Sequence, residues 1–350
     1  MIISENSASH SGGGIYCKYS SSTHLKNVII INNTSISYGG GMYCEDNSSP
    51  DLEEVTISGN YSHHGGGICC LFDSSPSLKN VIISDNTATW YGGGIGCFYD
   101  SNIYVENATI VGNSASDRGA GIYCYESSPT LINTIVSYNM DNYGLYAYSC
   151  EPSVAYSDFY ENEFGNFCGC GEVIGVNVTT NIHGDSCDAY YNIQENPLFV
   201  DPVNGDYHLN WIDYPIPDET MSPCIDAGDP DSPPDPDGTI ADIGAFYFHQ
   251  GVSIVEPEQP SEFNLTNYPN PLLTNINNLT ISFSINRPGK VQIQLFNVKG
   301  QLVSTIIREE KNIGDYLIRH PINELSSGIY FTRLSVDGVD REIKKIVLLR

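Results

Sequence analysis

Gly12-Gly13-Gly14-Ile15-Tyr16-Cys17 is written five times into the first third of this chain. It returns as Gly39-Gly40-Gly41-Met42-Tyr43-Cys44, Gly65-Gly66-Gly67-Ile68-Cys69-Cys70, Gly92-Gly93-Gly94-Ile95-Gly96-Cys97 and Gly119-Ala120-Gly121-Ile122-Tyr123-Cys124. The cysteines at 17, 44, 70, 97 and 124 are spaced by 27, 26, 27 and 27 residues. So regular a period means one structural unit stacked on itself. Other columns keep the same step: Leu25, Leu52, Leu78, Val105 and Leu131; Val28, Val55, Val81, Ala108 and Thr134; Ile30, Ile57, Ile83, Ile110 and Val136; Asn33, Asn60, Asn86, Asn113 and Asn139. Ile29, Thr56, Ile82, Thr109 and Ile135 fall between two apolar columns and read as outward positions of a strand.

Short strands with Ser-Ser-Pro turns at 48–50, 74–76 and 127–129, and no helical period, predict a parallel β-helix of 26–27-residue coils. Each coil would lie roughly 4.8 Å above the last. Aliphatic and Cys columns then face inward, and an Asn column pairs amides along the stack, satisfying turn backbone. The Gly triplets are expected to use φ > 0 for a tight bend. Lys26, Glu53, Lys79 and Glu106 alternate in sign at one outward offset, as cross-strand charge pairs should. The Cys column reads as packing, since a linear ladder does not supply tetrahedral zinc geometry.

The chain has 40% hydrophobic and 16% charged residues, enough apolar content for a core. Its net charge of −27 is uneven: residues 1–250 hold four basic residues (Lys18, Lys26, Lys79, Arg118) against 32 acidic ones. Such a body excludes nucleic acid as a partner. No apolar run is long enough for a transmembrane helix. The N-terminus lacks the features of a signal peptide, and Asn6 stands 27 residues before Asn33. The chain therefore opens inside a coil, which points to N-terminal truncation; a natural start is the other reading.

The coil pattern resembles right-handed parallel β-helix repeat proteins of bacterial surfaces. It also resembles the polymorphic outer-membrane repeat, whose second half stands here as Phe159-Tyr160-Glu161-Asn162. This covers residues 1–165 and implies fold rather than activity.

From 166 to 250 the register loosens. Cys168, Cys170 and Cys187 lie in an irregular segment, where a disulfide or plain thiols are expected ahead of zinc. The series Asn196-Pro197-Leu198-Phe199, Gly205-Asp206-Tyr207, Ser222-Pro223-Cys224-Ile225-Asp226 and Ala241-Asp242-Ile243-Gly244 resembles the terminal cap of secreted bacterial β-helix proteins, covering the open end of the stack. Asp226, Asp229, Asp231, Asp235 and Asp237 crowd one Pro-rich loop. Structural calcium is one reading of them and a solvated acidic loop the other. Residues 251–263 read as a linker.

Residues 264–350 alternate as a small antiparallel β-sandwich. They resemble the type A C-terminal sorting domain of the type IX (Por) secretion system. The landmarks are Tyr268-Pro269-Asn270-Pro271, Asn297-Val298-Lys299-Gly300, Ser326-Ser327-Gly328-Ile329-Tyr330 and the ending from Lys344-Lys345, while Arg319 to Asn323 departs from the family's Trp-containing turn. The resemblance implies the type IX machinery as partner, export to the cell surface or beyond, and no catalytic role for the tail.

For the body, one feature points to a ligand. Just before the Gly blocks stand Tyr38, His64, Tyr91 and Arg118, with Trp90 alongside. Stacking would align them as an aromatic stripe, with Leu71, Phe98 and Tyr125 as a second outward row. Flat apolar faces with polar edges suit sugar rings, so a polysaccharide or a host or neighbour surface glycan is the expected ligand. Aromatic packing of the turns without a ligand explains the same residues. A polysaccharide lyase or glycoside hydrolase on this fold is the alternative, though no carboxylate pair or lysine base stands out.

Overall fold

In-register stacking turns each sequence column into a ladder of paired residues. The computed structural model describes residues 1–250, 264–268, 270, 278–285, 287–323 and 325–348; the expected linker, Pro269 and Pro271 lie outside the described residues. Two units are distinguished: Met1–Phe199 with Tyr207–Gln250, and Val200–Asp206 with Gly251–Arg350.

In the first unit, Leu25, Leu52, Leu78, Val105, Leu131 and Val154 pair in succession. Ile30, Ile57, Ile83, Ile110, Val136 and Phe159 do the same. Three parallel sheets result, one beginning at Ile2–Ser4, one at Ser7–Ala8 and one at Ile15–Cys17. They wrap a core of Leu, Ile, Val and the cysteines 17, 44, 70, 97 and 124. The fold is an all-β solenoid of about six turns, with no α-helix among the described residues. Lys26–Glu53 and Lys79–Glu106 contacts at 2.7 and 3.2 Å fix the same register on the outside.

Two polar ladders satisfy the turns. Each buried Asn accepts, through Oδ1, both the N–H and the Nδ2 of the Asn one coil below. Its own Nδ2 also donates to a carbonyl of that lower coil, as Asn86 does to Ile57 at 2.9 Å. Ser21, Ser48, Ser74 and Ser101 each donate N–H to the hydroxyl of the next serine up, ending at Ser127.

Only the first Gly of each block uses φ > 0, as at Gly39 and Gly92. The second is glycine for want of space. A Cβ on Gly93 would lie 2.4 Å from the Ala120 carbonyl oxygen and 2.5 Å from that of Ser114.

Residues 187–199 and 207–248 complete the first unit. Ile193 forms the next rung by bridging to Asp158. The chain then returns over the outer face of the first sheet, where Ala245 N donates to Thr109 Oγ1 and Gly244 N to Asn133 O. Thr109 and Ile135, outward by alternation, are thereby fully buried against Ile225, Ile243 and their neighbours. All eleven cysteines are free thiols.

The second unit packs a three-stranded antiparallel sheet (Asn264–Tyr268, Asn278–Ile285, Gly314–Pro321) and a four-stranded one (Leu302–Lys311, Gly289–Asn297, Gly328–Val336, Val339–Leu348) around one core of Leu265, Ile281, Phe283, Ile293, Leu295 and Leu334.

Candidate functional site

Because Cys70, Cys97 and Cys124 point inward, their strand neighbours point out. One outward column runs Tyr16, Tyr43, Cys69, Gly96, Tyr123 and Tyr146. The small residues Cys69 and Gly96 interrupt the tyrosines. A Cβ on Gly96 would come 3.0 Å from Phe98 Cε2, so glycine there lets the Phe98 ring lie across the sheet.

Over this surface lie the residues that precede the Gly blocks. Tyr38 bridges to His64, His64 pairs with Tyr91, and Tyr91 bridges to Arg118. The Tyr38 and His64 rings stack at 5.0 Å and those of His64 and Tyr91 lie 5.2 Å apart. Trp90 meets His64 edge-on at 5.1 Å, stacks on His63 at 5.5 Å, and is 52% exposed. Tyr91 stacks in turn on Tyr123 at 4.8 Å. The Arg118 guanidinium ends the stripe, 5.5–5.9 Å from the ring centres of Tyr91, Tyr146 and Tyr148. All five residues of the expected stripe are therefore adjacent in space.

The expected second row needs correction. Leu71 and Phe98 are buried, covered by the stripe and by Tyr123. Phe72 and Tyr99, one residue further on, are exposed, whereas Tyr148 continues the Leu71, Phe98 and Tyr125 column and is its exposed end, stacked on Tyr125 at 5.6 Å. Phe72 and Tyr99 both adopt left-handed backbone, φ 53° and 55°, a conformation bulky residues rarely take. Their rings stack at 5.4 Å.

Electrostatics separate Arg118 from the other cations of the body. Lys18 lies 2.6 Å from Glu45, and Lys26 and Lys79 are held in the charge column. Arg118 has a carboxylate only at 3.7 Å, from its neighbour Asp117. Burial, and then the adjacent His63, push the His64 imidazole down to about 4, and its Nδ1 is buried without a hydrogen-bond partner. Neutral His64 thus belongs to the folded state. Its pKa is lower folded than unfolded, so its contribution is complete above about 6.5 and is lost as pH falls toward 4. Urea unfolding of His64→Tyr against the native chain should show less loss of stability between pH 6.5 and 4; identical pH profiles would contradict this.

The five acidic loop residues are not one cluster. Asp229 and Asp231 sit apart, Asp229 N donating to Asn133 Oδ1 and Asp231 N to Asp229 Oδ1. Asp226 and Asp235 gather instead around Asp242, which the acidic-loop reading omitted, while Asp237 accepts from Thr239 Oγ1 and Gln250 N. Asp242 accepts from Asp226 N and Phe248 N, and donates its N–H to Asp235. Burial pushes the Asp235 carboxyl up to about 6 and also raises the Asp242 carboxyl well above the usual carboxylate range. Among the described residues, no group of three or more His, Cys, Asp or Glu is arranged to hold a metal ion.

In the tail, the sorting landmarks build the fold. Asn270 Nδ2 donates to Lys345 O at 2.9 Å and its Oδ1 accepts from Val347 N at 2.9 Å, so it pairs like a short strand with the final one. Gly300 takes φ 74° in a turn whose N–H groups, from Lys299 and Gln301, are collected by Asn297 Oδ1. Gly328 opens the strand to Val336, and Tyr330 OH caps Ser326 O. Tyr268 ends the first strand, and burial raises its phenol. Lys344 pairs with Glu342 at 2.9 Å, whereas the Lys345 side chain is exposed.

Residues 1–110 match the family model of the right handed beta helix region, and residues 266–349 that of the secretion system C-terminal sorting domain. Searches of curated proteins and of solved structures returned no match. No helix among the described residues is long and apolar enough to cross a membrane. The chain thus joins a right-handed β-helix region to a type IX sorting domain, which directs secretion and attachment at the cell surface.

Proposed function

We propose that the β-helix is a glycan-binding, adhesive passenger and that the face of Tyr38, His64, Trp90, Tyr91 and Arg118 is its binding surface. The observation that carries this is the continuous row of rings along successive coils, ending in a guanidinium and flanked by a half-exposed Trp. Ring faces stack on the C–H faces of sugars, while tyrosine hydroxyls, the Trp90 indole N–H and Arg118 supply polar edges. Coil stacking sets the rings at a fixed repeat, which suits a polymer. Catalysis is less well supported, since Lys18, Lys26 and Lys79 are each engaged by carboxylates.

Tyr38→Ala, His64→Ala and Tyr91→Ala combined should weaken retention on immobilised polysaccharide by about tenfold or more, at roughly 0.5–1.5 kcal/mol per lost stacking contact. Trp90→Ala removes an exposed ring without opening the layer beneath. It should weaken retention with little change in melting midpoint. Undiminished retention by both variants would refute this face as the site.

A further inference from the structure

The serine and cysteine ladders exchange sulfur at one place. Above Cys124 the inward cysteine column carries Ala147. Above Ser127 the serine column carries Cys150, whose sulfur accepts the Ser127 N–H as serine hydroxyls do below. The Cys150 thiol donates to Cys124 O at 3.5 Å and the Cys124 thiol to Tyr146 O at 3.5 Å, so the two sulfurs neighbour each other on adjacent coils and each perturbs the other's ionisation. Cys124 is fully buried and Cys150 half-buried. This juxtaposition falls where the stack changes, the asparagine step shortening from 26 residues to 23 between Asn139 and Asn162.

We propose that Cys150 and Cys124 form a reversible disulfide across adjacent coils, with Cys150 as the entry thiol and Cys124 as the resolving one. The co-reactant is a small-molecule or protein disulfide. Cys150 thiolate attacks one of its sulfurs, forming a mixed disulfide and expelling a thiolate. Cys124 then gives up its proton and attacks Cys150 Sγ, forming the Cys124–Cys150 bond and expelling the second thiolate. Two protein thiols are oxidised, one disulfide is reduced to two thiols, and the two protons released by Cys150 and Cys124 are available to the departing thiolates.

The surroundings suit these roles. Contact with Cys124, and N–H groups of Ser127 and Tyr148, bring the Cys150 thiol down to about 7. Contact with Cys150 and burial hold the Cys124 thiol far above its ordinary range, so Cys124 stays protonated beside a Cys150 thiolate and becomes able to attack only once Cys150 is tied up in the mixed disulfide and that charge is gone. Thiolate character and access together select the attacking cysteine. The sorting tail takes the chain out of the cytoplasm, into compartments where disulfides persist. The bond would staple the solenoid where its coil length drops.

The test treats reduced full-length protein with oxidised glutathione, blocks remaining thiols by alkylation and maps peptides by mass. A Cys124–Cys150 cross-linked peptide is expected, with the melting midpoint rising by roughly 5–10 °C on oxidation. Cys150→Ser should fold, because serine occupies this column in the coils below, and should show neither the cross-link nor the rise. Recovery of Cys150 alkylated, left as a glutathione adduct, or joined to Cys168 or Cys170 would overturn the proposal. An equal midpoint rise in Cys150→Ser would also overturn it.

Discussion

Asn86→Ala is expected to destabilise the β-helix by about 3–5 kcal/mol. The side chain is fully buried and sits in the middle of the amide ladder. Its Oδ1 accepts from Asn60 N at 3.0 Å and Asn60 Nδ2 at 2.9 Å, and its Nδ2 donates to Ile57 O and Asn113 Oδ1. Alanine leaves the two donors and the Ile57 carbonyl without these partners. Each stranded buried group costs about 1–3 kcal/mol, reduced where the site relaxes. Asn6→Ala is the control: Asn6 is exposed and makes its ladder bonds on one side only, to Asn33 Oδ1. It should cost under about 1 kcal/mol. Urea midpoints of the two variants give the comparison, and equal shifts would refute a cooperative buried ladder.

Gly93→Ala should be comparably severe for a steric reason. The new Cβ would meet carbonyl oxygens at 2.4 and 2.5 Å, both backbone atoms, so no rotamer change relieves the contact. Relief requires the coil above to move, at the expense of Gly93 N→Gly119 O at 3.2 Å and Gly94 N→Ala120 O at 3.0 Å. Overpacking of this kind costs about 1–3 kcal/mol, and more when backbone must shift. Ala120 occupies the equivalent place in the next block, where a side chain is accommodated, so Ala120→Gly should cost no more than about 1 kcal/mol. Limited proteolysis should cut the Gly93→Ala chain within its coils and spare Ala120→Gly. Resistance in both would contradict the close approach of the coils.

The stack was legible in the sequence because a parallel, in-register solenoid makes period equivalent to contact. Any two residues 26 or 27 apart are neighbours, so the Leu, Ile, Cys and Asn columns could be read directly, and so could the adjacency of Tyr38, His64, Tyr91 and Arg118. Alternation could also say that Leu71, Phe98, Thr109 and Ile135 point outward. It could not say what covers them. The cover of Leu71 and Phe98 comes from rings beyond the neighbouring turn, at an angle the turn geometry sets. The cover of Thr109 and Ile135 comes from residues many coil lengths later in the chain, such as Ile225, Ile243 and Ala245, which carry no repeat. Asp242 was set apart from Asp226 and Asp235 for the same reason, since only the return of the chain groups them. The serine ladder had a visible signal, Ser48, Ser74, Ser101 and Ser127 at the common step, but Cys150 follows Ser127 by 23 residues and falls off that step. In the tail, Asn270 and the final strand lie about 75 residues apart and meet through side-chain hydrogen bonds that no periodicity announces.

The sorting domain accounts for where the chain goes; the proposed role of the β-helix there is binding through its aromatic face. The direct measurement incubates the full chain with a panel of neutral and acidic polysaccharides, following retention on the immobilised glycan and glycan chain length by size exclusion. Retention of at least one glycan with its length unchanged is the predicted result. Shortened chains would make the β-helix a catalyst, and absence of retention across the panel would contradict glycan binding altogether.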